Sequence, residues 1–71
     1  IADKSVIPDL ADVIRGDQDD LVRITAIEAM VSFKSRDSLD VLYETAHNLR
    51  NPKKVVTAAS LAIGQIRGYS R

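Results

Sequence analysis

Acidic side chains gather at Asp17, Asp19 and Asp20, with Glu28 further along, a spacing that invites a calcium-loop reading. A calcium-binding helix–loop–helix needs an oxygen ligand at the fifth loop position and glycine at the sixth. Leu21 and Val22 stand there. The carboxylates read better as caps and dipole partners of a helix start. His47, the single histidine, follows Tyr43 by four residues, one helical turn. A lone imidazole can serve as a general base, but no nucleophile motif or metal-ligand partner accompanies it, so it reads as a packed or surface residue. Arg50, Lys53 and Lys54 crowd the start of the last helical segment, where helix amides could help attract an anion such as phosphate. No glycine-rich phosphate loop occurs. These residue types predict no catalytic group, no cofactor site and no metal site.

Composition narrows the classes further. The 71 residues carry ten basic and ten acidic side chains, 45% hydrophobic residues and no cysteine. That balance argues against a basic nucleic-acid tail, an acidic tail or a low-hydrophobicity disordered segment. Disulfide frameworks and thiolate chemistry need cysteine. No apolar run approaches the roughly 20 residues of a membrane span, and no leader pattern opens the chain, so no membrane partner and a cytoplasmic location are expected. The charge is uneven along the chain. Residues 1–40 hold nine acidic and five basic side chains, and residues 41–71 hold one acidic and five basic. The chain as a whole lacks the stacking aromatics and overall basic excess of a nucleic-acid binder, which leaves nucleic acid as a disfavoured partner. Ile1 in place of methionine suggests a processed product or a fragment.

The elements that must hold these groups are helices throughout. Three glycines and two prolines punctuate the chain, and no stretch alternates with the period of a half-buried strand. A first helix is expected from Ser5 to Arg15, capped by Ser5 or Asp3 and closed by Gly16, with Ile7, Leu10, Ala11 and Ile14 on one face. A second runs from Asp20 to Phe33 behind a cap at Asp17 or Asp19. Val22, Ala26, Ala29, Met30 and Phe33 form one apolar stripe on it, and Ile24, Ile27 and Val31 a second. A helix apolar on two sides is buried on two sides. A third, Ser38 to Leu49, is capped by Asp37 and turns Leu39, Leu42, Tyr43, Ala46 and Leu49 inward. Asn51 followed by Pro52 signals the start of a fourth, cap then proline. It carries Val55, Ala59, Ala62, Ile63 and Ile66 and closes at Gly68. Short connections make neighbouring helices antiparallel.

The halves repeat. Val22, Ala26, Ala29, Met30 and Phe33 recur 33 residues later as Val55, Ala59, Ala62, Ile63 and Ile66, and Ile7, Leu10 and Ile14 recur 32 residues later as Leu39, Leu42 and Ala46. A paired-helix repeat of this length indicates an α-solenoid. The run Asp19-Asp20-Leu21-Val22-Arg23 with Ala26, Ala29 and Met30, preceded by Ile7-Pro8-Asp9-Leu10, resembles a HEAT repeat of the short type named after phycobilisome lyases. The second copy keeps Val55, Ala59, Ala62, Ile63, Gly64 and Ile66 but has Val56 where the family has the arginine that Arg23 supplies. That departure puts the arginine–aspartate ladder between units in question beyond the first copy.

The expected architecture is all-α: an α-solenoid of two HEAT-like hairpins forming one domain over residues 1–71, with repeat one at about 5–33 and repeat two at about 38–66. Residues 1–4 then read as the end of a preceding repeat, because Ile1 aligns with Phe33, and the whole as part of a longer array. Two repeats are fewer than the roughly three a solenoid needs, so stacking on adjacent repeats, on a copy of itself or on a partner is expected. In the fourth helix the second stripe becomes Thr57, Ser60 and Gly64, which fits either solvent exposure or close helix contact. The resemblance implies a non-catalytic protein–protein interaction scaffold whose second helices line a concave ridge, here Arg23, Thr25, Glu28, Ser32, Leu61 and Gln65. It also implies an alternative, a component of a bilin lyase or isomerase that binds a tetrapyrrole.

Overall fold

A computed structural model of the chain describes residues 7–16, 18–33 and 36–69. Four helices follow one another among them: α1 (Ile7–Gly16), α2 (Asp20–Phe33), α3 (Leu39–His47) and α4 (Lys53–Tyr69), with a 3-10 turn at Arg36–Ser38 before α3. No strand occurs among the described residues. α1 packs on α2 and α3 on α4, while α2 and α4 carry the main contact between the two hairpins.

The starts of α2 and α4 have local causes. Asp19 caps α2: its Oδ1 accepts the Leu21 N–H at 2.9 Å, and its carbonyl accepts the Arg23 N–H at 3.1 Å. The alternative caps Asp17, Asp3 and Ser5 lie outside the described residues. α4 begins one residue later than the Asn-Pro signal implies. The Pro52 carbonyl accepts the Val55 and Val56 N–H groups at 3.0 and 3.1 Å, so Pro52 holds the capping position and Asn51 precedes it. Gly16 and Gly68 are the surprise at the other ends. Both lie inside their helices, and neither has the left-handed backbone expected of a terminator.

α3 departs most from expectation. Helical hydrogen bonding enters it through the 3-10 turn, and Ser38, not Asp37, occupies the capping position, with helical backbone angles and no side-chain cap. The helix stops at His47 because Asn48 turns extended and its Oδ1 accepts the Arg50 N–H at 3.0 Å, the local bond by which asparagine makes a turn. Leu49 is therefore left in the turn, 98% exposed, instead of facing inward. Tyr43 is exposed too. The face that packs is Val41, Leu42 and Thr45. Thr45 tolerates burial because its hydroxyl donates to the Val41 carbonyl at 2.8 Å.

Among the described residues one buried polar group stays unmatched. Ser38 is 0% exposed and its Oγ has no hydrogen-bond partner. Burying a hydroxyl without a partner costs about 1–3 kcal/mol. Ser38→Ala removes that cost at nearly constant volume, so urea unfolding is expected to show a gain of about 1 kcal/mol. A loss of that size would mean that the hydroxyl is bonded in solution.

The core joins Ile7, Ala11 and Ile14 of α1, Ala26, Ile27 and Met30 of α2, Val41 and Leu42 of α3, and Val55, Ala59, Ala62, Ile63 and Ile66 of α4. The whole α4 stripe is buried as the sequence predicts. The matching α2 stripe is only half covered: Ala26 and Met30 are buried, Ala29 and Phe33 half-buried, and Val22 is 42% exposed. The 33-residue register of the second helices thus survives in structure. For the first helices burial matches at 31 residues rather than 32, pairing buried Ile7, Ala11 and Ile14 with buried Ser38, Leu42 and Thr45. On the other side of α4, Thr57, Ser60 and Gly64 are exposed, and a Cβ at Gly64 would meet nothing within 4 Å. This face meets solvent and makes no close helix contact.

Candidate partner-binding surface

Arg23 does not stand on an exposed ridge. It is 9% exposed, because it falls in register with Ala26, Ile27 and Met30 on the buried face of α2. Its guanidinium is a junction. Nε donates to the Ile14 carbonyl at the end of α1 at 2.7 Å, and Nη2 donates to Asn51 Oδ1 in the α3–α4 turn at 2.6 Å. The Asn51 amide in turn donates to the Thr45 carbonyl in α3 at 2.9 Å. Nη1 lies 3.8 Å from Asp20, whose second oxygen lies 3.8 Å from Lys54 Nζ on α4. One planar fork with fixed donors can serve these acceptors together, which a lysine could not. Arg23 links the two hairpins, with Asn51 as its second-hairpin acceptor.

The rest of the ridge divides between two grooves. Glu28, Leu61 and Gln65 come together in a groove between α2 and α4, about 410 Å³ in volume, floored by Ile27, Val31, Ala58 and Ala62. Leu61 is 63% exposed there. Ser32 is exposed on α2, one turn beyond Glu28. Thr25 lies elsewhere: its hydroxyl donates to the Leu21 carbonyl at 2.8 Å, and it edges a second groove of about 360 Å³ between α1 and α2 with Leu10, Val13, Leu21, Val22, Ala26 and Ala29.

Charge at the start of α4 is partly matched within the chain. Arg50, Lys53 and Lys54 are all exposed, but Lys54 faces the Asp20 carboxylate. A second inter-hairpin pair is exposed: both Nε and Nη2 of Arg15 donate to Glu44 Oε2, at 3.1 and 3.0 Å. His47 Nδ1–H donates to the Tyr43 carbonyl of its own helix at 2.8 Å, and Arg67 Nη1 donates to the Tyr43 hydroxyl at 3.3 Å. Among the described residues no three metal-ligating side chains cluster, and no helix is long and apolar enough to cross a membrane.

Asn51 and Thr45 are the residues that sequence reasoning missed as functional partners of Arg23. A signal was present: Arg23 precedes Ala26, Ile27 and Met30 by three, four and seven residues, the spacing of a core position.

Two antiparallel hairpins, stacked through their second helices and tied by a buried arginine, define an α-helical repeat protein. The chain belongs to the HEAT repeats, whose family model matches residues 1–71. No curated protein and no solved structure matches it. HEAT repeats are in general protein-interaction scaffolds.

Proposed function

We propose that the chain is a non-catalytic scaffold that holds a protein partner in the groove between α2 and α4. The observation that carries this reading is the exposed Leu61, set over the apolar floor of Ile27, Val31, Ala58 and Ala62 and flanked by Glu28 and Gln65. An apolar centre with a polar rim is the anatomy of a protein interface. The charged groups elsewhere serve the fold: Asp19 caps α2, and Arg23, Asp20 and Arg15 join the hairpins. The finer assignment to the phycobilisome-lyase type rests on Asp19 to Arg23 with Ala26, Ala29 and Met30, and its own test is a visible absorbance change on adding a bilin.

Leu61→Glu tests the main reading. The residue is exposed, so the variant should melt within about 0.5 kcal/mol of the parent. Proteins captured from the source cell by the parent chain should be lost from the variant in quantitative mass spectrometry. Equal capture by both chains would reject the groove as the binding surface.

A further inference from the structure

We infer that the polar pocket between the two hairpins, where α1 and α3 end, is a binding site for a phosphate group, free or as a monoester. The pocket is about 220 Å³ in volume, and its polar lining is Arg15, Arg23, Glu44, Thr45, Asn48 and Asn51. Arg23 is its buried wall, and Arg15 and Glu44, with about half of each side chain exposed, stand at its mouth. It shares no residue with the groove between α2 and α4. The donor count carries the assignment. An arginine has five N–H donors and no acceptor. Arg23 uses Nε on the Ile14 carbonyl and Nη2 on Asn51, and its Nη1 has only Asp20 at 3.8 Å, beyond hydrogen-bonding distance. Arg15 uses Nε and Nη2 on Glu44 Oε2, and its Nη1 makes no hydrogen bond among the described residues. Asn48 accepts the Arg50 N–H through Oδ1, and its amide nitrogen donates to no described residue.

The acceptors nearby are already taken. The Ile14 and Thr45 carbonyls, at the negative ends of α1 and α3, accept from Arg23 and Asn51. What remains is a set of spare donors on three segments: Arg15 on α1, Arg23 on α2 and Asn48 just beyond α3. Against them stands one carboxylate, Glu44, so the lining keeps one net positive charge. A carboxylate ligand presents two oxygens in one plane. Donors on three segments are better matched by the three acceptor oxygens of a phosphate group, which guanidiniums bind through paired, charge-assisted hydrogen bonds. The volume equals that of roughly seven water molecules at about 30 Å³ each, so a small ester substituent fits as well as the bare ion. Arg15 and Arg23 keep their bonds between the hairpins, and the phosphate takes the donors that those bonds leave over.

The test is a nuclear magnetic resonance titration of the nitrogen-15-labelled chain with inorganic phosphate and, separately, with O-phosphoserine. It is run at constant ionic strength and about pH 8, above the phosphoserine second pKa of about 6. Saturable shifts of the Arg15 and Arg23 Nε signals and of the Asn48 side-chain amide are expected. Glu44→Gln removes the like charge at the mouth and should tighten binding about tenfold, the effect of one unit charge roughly 6 Å from a dianion in water. Arg15→Gln should weaken binding about tenfold or more by the same reckoning. Both side chains are half exposed, and losing an exposed pair leaves the fold intact, which unchanged circular dichroism checks. Lys53→Gln, on the exposed start of α4 outside the pocket, should change the affinity less than about twofold, because salt screens it. Shifts that never saturate would overturn the inference, as would an affinity that Arg15→Gln leaves unchanged or that Glu44→Gln lowers. An equal loss in Lys53→Gln would also overturn it, by placing the ion at the exposed start of α4. Tighter binding of O-phosphoserine than of inorganic phosphate makes a phosphorylated side chain the ligand, and equal or weaker binding makes it the free ion.

Discussion

Arg23→Ala is expected to lower the unfolding free energy by about 3–5 kcal/mol, the cost of removing one partner from a buried charged network. The loss is large because the partners stay behind. Truncation leaves the Ile14 carbonyl and Asn51 Oδ1 without the donors that stand 2.7 and 2.6 Å away, and Asp20 with only Lys54 at 3.8 Å. A single core in a chain of this size rarely supplies more than about 3–5 kcal/mol, so the variant should be largely unfolded in buffer at room temperature. Arg23→Lys should rescue little, since a point charge cannot replace two fixed donors aimed at two acceptors. A double-mutant cycle isolates the link between the hairpins. Asn51→Ala alone removes one acceptor and one donor, and with Arg23→Ala it should show a coupling of about 1–3 kcal/mol. Urea titrations followed by circular dichroism give all four free energies if stabilising osmolyte is present throughout. Arg23→Ala within about 0.5 kcal/mol of the parent would mean that the network is not formed in solution.

Arg23 also shows where the sequence stopped being informative. Helix existence was legible because each helix has a turn signal before it and a 3.6-residue apolar period within it. The α4 stripe was legible residue by residue, since Val55, Ala59, Ala62, Ile63 and Ile66 are all covered by neighbouring helices. On α2 an equally regular stripe misled, because periodicity marks what can be buried, and no described element covers Val22. On α3 two overlapping faces were available. Leu39, Leu42, Tyr43, Ala46 and Leu49 have the right spacing, but the Asn48 turn ends the helix before Leu49. The face chosen includes Ser38 and Thr45, which hydropathy scores against burial. The cap at Asn51 failed for a similar reason. Its amide reaches the Thr45 carbonyl and its Oδ1 accepts from Arg23, bonds between distant segments that no local rule contains. Of the ridge, Glu28, Leu61 and Gln65 do share one groove, because repeat spacing placed α2 beside α4. Arg23 was assigned to that ridge because the family resemblance puts the polar side chains of the second helices there, whereas its register with Ala26, Ile27 and Met30 turns it into the core.

The second large effect separates those two kinds of apolar position on a single helix. Ala26→Glu is expected to abolish cooperative thermal unfolding, whereas Val22→Glu should leave it within about 1 kcal/mol of the parent. Both residues belong to the α2 stripe and lie one turn apart, and the helix propensities of alanine, valine and glutamate differ by less than about 0.7 kcal/mol, too little to separate the two outcomes. They differ in what surrounds them. Ala26 is 5% exposed and lies in the core cluster with Ile14, Met30 and Ala59. A glutamate there must either carry its charge into a space that fits a methyl group or push neighbouring helices apart. Unpaired burial of a carboxylate costs several kcal/mol and overpacking adds about 1–3, together at or above the roughly 3–5 kcal/mol such a core supplies. At Val22, 42% exposed, the same carboxylate reaches water. Far-UV circular dichroism melts of the two variants give the answer directly. A broad, non-cooperative Ala26→Glu curve beside a normal Val22→Glu curve is the expected pair. Two normal curves would mean that α2 is rotated from the placement described here, with Ala26 out of the core.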